Sequence, residues 1–188
     1  MNQLNKILSW LFALITLFLA VYLKNILILW FLVYLVILNI LKLNSSLKFI
    51  AIVYGFLACF LGFTIQLYKI TTWYDTFIHF LAGIFISLIA IYVLDMLKMF
   101  NKKNIVFNMI FILLFVLGIS AFWEMIEFTA DNVVYSDMQR KITGVYDTMK
   151  DIIAAFVGTI MFNILFYCEY RNNRKNLLYK FIENMFGG

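Results

Sequence analysis

Apolar blocks alternate with short polar breaks along the whole chain, at about residues 7–22, 26–41, 49–68, 74–97, 105–130 and 147–168. Blocks of this length and composition read as membrane-crossing helices, since about 20 apolar residues span the hydrocarbon core. The pattern predicts an all-α, polytopic membrane helical bundle of about six transmembrane helices. Residues 1–170 are expected to form one transmembrane domain and residues 171–188 a cytoplasmic amphipathic tail. In that tail, Arg171, Arg174, Lys175 and Lys180 alternate with Leu177, Leu178, Phe181, Ile182 and Phe186, the make-up of a helix lying in the membrane interface.

The polar breaks carry further information. Only Leu23, Lys24 and Asn25 separate the first two blocks, which predicts a tight helical hairpin. Residues 7–23 hold no small-residue cleavage pattern, so the first block is expected to be a retained span rather than a removed signal. Gly55 and Gly62, seven residues apart in the third block, suggest one face of close helix contact. The segment 131–146 is the only long connection, and its Asp137, Arg140 and Lys141 are candidates to roof whatever lies beneath.

Basic residues set the expected orientation. With cytoplasmic termini, Lys6, Lys42, Lys48, Lys98, Lys102, Lys103, Arg171, Arg174, Lys175 and Lys180 fall on the inner side, ten in all. Lys24, Lys69, Arg140, Lys141 and Lys150, five in all, fall outside. That asymmetry predicts a multi-pass protein of the cell membrane with both termini in the cytoplasm.

Composition agrees with the blocks: 65% of residues are hydrophobic and 13% charged, far from a soluble domain. The net charge of +5 is spread singly between apolar runs, so lipid headgroups are the expected partners and nucleic acid is not. Cys59 and Cys168 fall inside spans, where thiols act as small apolar groups; neither disulfide nor thiol chemistry is expected. Trp73, Tyr74, Trp123 and Tyr146 read as an interfacial aromatic belt.

Against this background three pairs of ionisable residues stand out at block ends: Asp75 with His79, Glu124 with Glu127, and Asp147 with Asp151. Each pair has a spacing of three or four and so shares a helix face. Ionisable groups inside a span are costly and mark functional sites. The expected topology brings all six to one depth, at the outer face. Gly83, Ser87, Ser120, Ala121, Ala154, Ala155 and Gly158 continue those faces with small residues that let helices approach closely.

Five carboxylates beside the single histidine of the chain cannot all ionise without compensation. A divalent metal (Mg, Mn, Fe or Zn) held by Asp75, His79, Glu124, Glu127, Asp147 and Asp151 would supply it, the oxygen-rich ligand set favouring hard ions. The same six residues, read as catalytic, suit a metal-dependent hydrolase of a lipid-linked phosphate. Activated water is the expected nucleophile, and Lys150 or Arg140 would neutralise the phosphate. Two other readings stand beside this one: a cation- or proton-coupled transporter or channel, and a non-catalytic structural or resistance protein whose cluster locks helices together.

The order of motifs, Asp75-x-x-x-His79, then Trp123-Glu124-x-x-Glu127, then Asp147-Thr148-x-x-Asp151 with small residues after it, resembles the YjdF-like and VanZ-like families of small bacterial multi-pass proteins over residues 72–160. The YjdF-like group is the closer of the two. VanZ-like proteins usually carry E-x-x-Q and a basic residue before the aspartates, where this chain has Glu127 and Tyr146. The resemblance implies a bacterial cell-membrane protein with these six polar positions as its signature.

Overall fold

The computed structural model describes residues 2–23, 28–41, 43–101, 103–133, 139, 144–171 and 177–186. Lys24, Asp137, Arg140, Lys141, Arg174 and Lys175, which the sequence reading placed in the hairpin turn, the roof and the tail, lie outside the described residues. Every regular element described is helical. The chain forms two compact units, Met1–Ile78 and His79–Phe186.

In the first unit, α1 (Asn2–Tyr22) and α3 (Ser45–Gly55) begin at the same end. The Asn5 amide donates to the Ser45 carbonyl at 2.8 Å, and Ser45 Oγ donates to Asn2 Oδ1 at 3.2 Å. The chain between them therefore has to return across the unit, and α2 (Leu29–Ile40) lies on that return. Asn44 starts α3 as an N-cap, its side chain accepting from Leu47 N at 2.8 Å. Phe12 of α1 and Phe31 of α2 meet Phe56 and Phe60, which follow α3, the pairs Phe12–Phe56 and Phe56–Phe60 stacked and Phe12–Phe31 and Phe31–Phe60 tilted.

The element lengths refine the expectation of about six spans. Among the described residues, five helical stretches are long and apolar enough to cross a membrane: 2–22, 45–64, 74–96, 105–133 and 145–170. The sixth, α2, has 12 described residues, about 18 Å of helix against a core of about 30 Å.

The third span departs from a regular α-helix. After Gly55 it continues as a π-helix, Phe56–Thr64, and Ile65 N donates to Phe60 O at 3.1 Å, the i→i−5 bond of that wider winding. Seven residues no longer return to one face, so the two glycines serve different neighbours. Gly55 lies under the ring of Tyr34 and Gly62 under that of Tyr68. Gln66, at φ 62°, then turns the chain into the short α4 (Leu67–Ile70).

The second unit holds the rest of α5 (Tyr74–Met96), with α6 (Ile105–Val133), α7 (Val145–Arg171) and α8 (Leu177–Phe186). The unit boundary falls inside α5, which runs unbroken through it. The α5–α6 turn is a Schellman motif: Lys98, at φ 58°, donates to Asp95 O, and Met99 donates to Leu94 O, both at 2.8 Å. Beyond it Asn104 caps α6 by accepting from Phe107 N at 3.1 Å. The fully buried Asn108 closes the same turn, donating to Asn101 O at 2.9 Å.

α7 is bound to both neighbours through small and polar residues. A Cβ at Gly83 would overlap the Ala155 carbonyl, and one at Gly158 would overlap that of Phe80. Thr159 Oγ1 donates to Ala155 O at 3.0 Å and lies 3.3 Å from Gly83 O. Asn163 donates to Met109 O on α6 at 3.1 Å. α8 buries Ile182 completely.

Large apolar side chains, among them Trp10, Phe18, Leu114, Phe122 and Met125, face outward, as lipid-facing surfaces do. Trp73, Trp123 and Tyr146 are also exposed. Tyr74 is not a belt residue. It is buried, its hydroxyl donating to Leu57 O at 2.9 Å, because the wide π-turn brings that carbonyl to it.

Candidate metal site

The crossing of α5 and α7 at Gly83 and Ala155 sets the geometry of the polar residues above it. His79 lies one turn before Gly83, and Asp151 lies one turn before Ala155. A helix contact at one pair of backbones therefore levels the other pair. Asp75 stands one further turn up α5. Asp75, His79 and Asp151 each offer a ligand atom, and these atoms all lie within 4.8 Å of one another. Two carboxylate oxygens and one imidazole nitrogen at such a separation match a ligand set for Mg²⁺, Mn²⁺, Fe²⁺ or Zn²⁺.

Asp147 and Lys150, on the first turns of α7, flank this group. Lys150 Nζ lies 2.6 Å from Asp147 Oδ1 and 3.8 Å from Asp151 Oδ1. The charges of Asp147 and Lys150 both act on His79. Asp147 and Asp151 are 3% and 2% exposed, so any charge they carry is screened weakly and a nearby cation such as Lys150 stabilises it. The Lys150 side chain is 25% exposed, with its ammonium at the edge of the group.

Glu124 and Glu127 come from α6. Glu124 is 5% exposed on the inner face of α6. Glu127 is turned along its own helix, where Oε1 accepts from the indole of Trp123 at 2.8 Å. The level of α6 relative to α7 is held by Gln139. Its side-chain amide donates to Glu124 O at 3.2 Å and to Thr148 Oγ1 at 3.0 Å, while its backbone N–H donates to Asp131 Oδ2 at 3.0 Å. The end of α6 and the start of α7 thus lie together, as the sequence expectation of one common depth requires for Glu124, Asp147 and Asp151.

Gln139 is a residue that motif reasoning passed over, since a lone glutamine in a polar connection carries no spacing signal. Tyr54 and Tyr68 were passed over too. Tyrosines are common in membrane spans, and only the structure shows these two packed against Ala58, Tyr74 and Ile78.

The helices and the partly buried acid/histidine group define a multi-pass helical membrane protein with an ionisable cluster between its helices. The chain belongs to the family described as Predicted membrane protein (DUF2238), which matches residues 4–172. No curated protein and no solved structure matches the chain.

Proposed function

We propose that the protein is a metal-dependent hydrolase acting on a lipid-borne phosphate, with a divalent cation held by Asp75, His79 and Asp151. The observation that carries this reading is the convergence of their three ligand atoms within 4.8 Å in a largely apolar surrounding. Lone ionisable groups there would be costly, and a cation offsets that cost. Asp75, His79 and Asp151 would hold the cation, which would supply an activated water and polarise the phosphate. Hydrolysis would join a water oxygen to phosphorus and break the P–O bond to the lipid alcohol, the water's proton passing through a carboxylate of the chain to the leaving oxygen. Asp147 and Glu124 are the buried carboxylates left to carry that proton. Lys150 is placed to meet the phosphate charge.

The orientation from the basic residues puts this chemistry at the outer face of the cell membrane, and the motif likeness over residues 72–160 favours a bacterial YjdF-like protein. A transport reading would need a polar route to the other side of the same helices. The buried hydroxyls there point to another role. Ser87 Oγ donates to Gly83 O at 2.6 Å and Thr159 Oγ1 to Ala155 O, so both are committed to helix carbonyls.

The test is Mn²⁺ and Zn²⁺ binding by the purified full chain, followed by phosphate release from phosphatidic acid and from polyprenyl phosphates, with and without chelator. Metal binding with metal-dependent release supports the proposal. Binding without release from any lipid phosphate leaves a metal site of another use. The absence of binding removes the proposal altogether.

A further inference from the structure

Around the first turn of α5 the first unit builds a cluster of aromatic residues that ligand geometry alone does not require. The π-helix Phe56–Thr64 ends in a left-handed turn at Gln66, which carries Tyr68 back over the segment. Gly62 makes room for that ring, because any Cβ there would overlap the Tyr68 ring carbons. Phe63 and Tyr74 then meet the ring edge-on, with centroids 5.1 and 5.5 Å away. Tyr74 is itself anchored to Leu57 O at 2.9 Å. The next residue in the chain is Asp75.

The chemistry of position 68 is more than the packing asks for. A phenylalanine would fill the same space over Gly62 and offer the same edge to Tyr74. The hydroxyl adds a polar group in apolar surroundings, which is unfavourable unless it is hydrogen-bonded. Tyr68 is in electrostatic range of Tyr54 and of Asp75, its ring meets that of Tyr74, the residue before Asp75, and of the two partners only the carboxylate is a full anion for the phenol to bond. Metal-binding carboxylates are commonly oriented by hydrogen-bond donors behind them.

We propose that Tyr68, seated by Gly62 and the π-turn, is a positioning residue for the metal site: its phenol donates to the Asp75 carboxylate and holds one oxygen toward the cation. The proposal deepens the metal reading and rests on it. It gives the π-helix a purpose, since a regular α-helix would rotate Gly62 away from Tyr68. π-turns recur at functional sites for this kind of reason.

The experiment compares Mn²⁺ affinity and thermal unfolding of the full-length wild type with Tyr68→Phe, Gly62→Ala and Tyr34→Phe. Tyr34 is the control: it also loses a phenol, but one that donates to the Ala51 carbonyl at 2.8 Å. Tyr68→Phe is expected to weaken Mn²⁺ binding by about tenfold, the usual loss when a partner behind a ligand is removed. Tyr34→Phe should keep wild-type affinity whatever it loses in stability. Gly62→Ala should match Tyr68→Phe by displacing the ring, and if it fails to fold Tyr68→Phe decides alone. Wild-type binding with unchanged affinity in Tyr68→Phe overturns the positioning role and leaves the metal reading standing. No Mn²⁺ or Zn²⁺ binding by the wild type overturns both.

Discussion

The α-carbon of Gly83 lies so close to the carbonyl of Ala155 that no side chain fits between α5 and α7. This contact, one turn below His79 and Asp151, brings the imidazole and the carboxylate together. A methyl group at position 83 would push on backbone, which cannot rotate aside as a side chain can. Gly83→Ala is therefore expected to cost about 1–3 kcal/mol in stability, the range for overpacking, and to weaken Mn²⁺ binding as the ligands separate. Thermal unfolding in detergent, with and without Mn²⁺, checks this. Wild-type stability together with wild-type affinity would show that the crossing does not set the site.

The carboxylates should differ in their roles. Asp151→Asn keeps the size of the side chain but removes ligand charge, and a loss of at least about tenfold in metal affinity is expected. Glu127→Gln keeps an oxygen for the Trp123 indole, which Oε1 now accepts at 2.8 Å, and its affinity should stay within about twofold of wild type. Calorimetric titration of both variants separates them. Equal losses would mean that Glu127 joins the ligand set.

Lys150 and a metal ion compete for the same negative field. The ammonium is 2.6 Å from Asp147 and 3.8 Å from Asp151, and its partial exposure screens it. Lys150→Met should tighten Mn²⁺ binding by about tenfold, equivalent to roughly 1.4 kcal/mol. It should also lower metal-free stability, because Asp147 loses its cation. Turnover of lipid phosphate should fall despite the tighter binding. Affinity that drops in parallel with turnover would instead mark Lys150 as a support of the metal site.

The number of crossings has a direct readout. The link from Asn5 to Ser45 makes α1 and α3 start together, so the chain passes through the unit again by way of α2. In a background with Cys59 and Cys168 replaced by serine, single cysteines at Gln3, Lys103 and Lys180 should label only after lysis. One at the exposed Tyr146 should label in intact cells with an impermeant reagent. The reverse pattern would invert the orientation. Gln3 and Lys180 labelling from opposite sides would show that the segment through α2 does not cross.

Much of this architecture was legible residue by residue. The long apolar blocks dictate helices, because in lipid each backbone polar group has to be satisfied within its own segment. Asp75 and His79 announced themselves by being ionisable inside such a block. The small residues after each polar pair indicated which faces approach, and Gly83 and Gly158 are where α5 and α7 meet. The start of α3 at Ser45 was less visible, since Asn44 acts through a cap that hydropathy does not register.

What the sequence by itself determined is the class of protein and the polar positions that a membrane would not tolerate without cause, both of which follow from the local cost of burying charge or exposing backbone. Tertiary structure decided how such positions are brought together. Asp75, His79 and Asp151 converge because two glycines let α5 and α7 touch, while Glu127 turns to an indole on its own helix. It also decided that Gly62 and Tyr68 pair. A π-helix changes the number of residues per turn, and no spacing rule built on 3.6 residues could place them together.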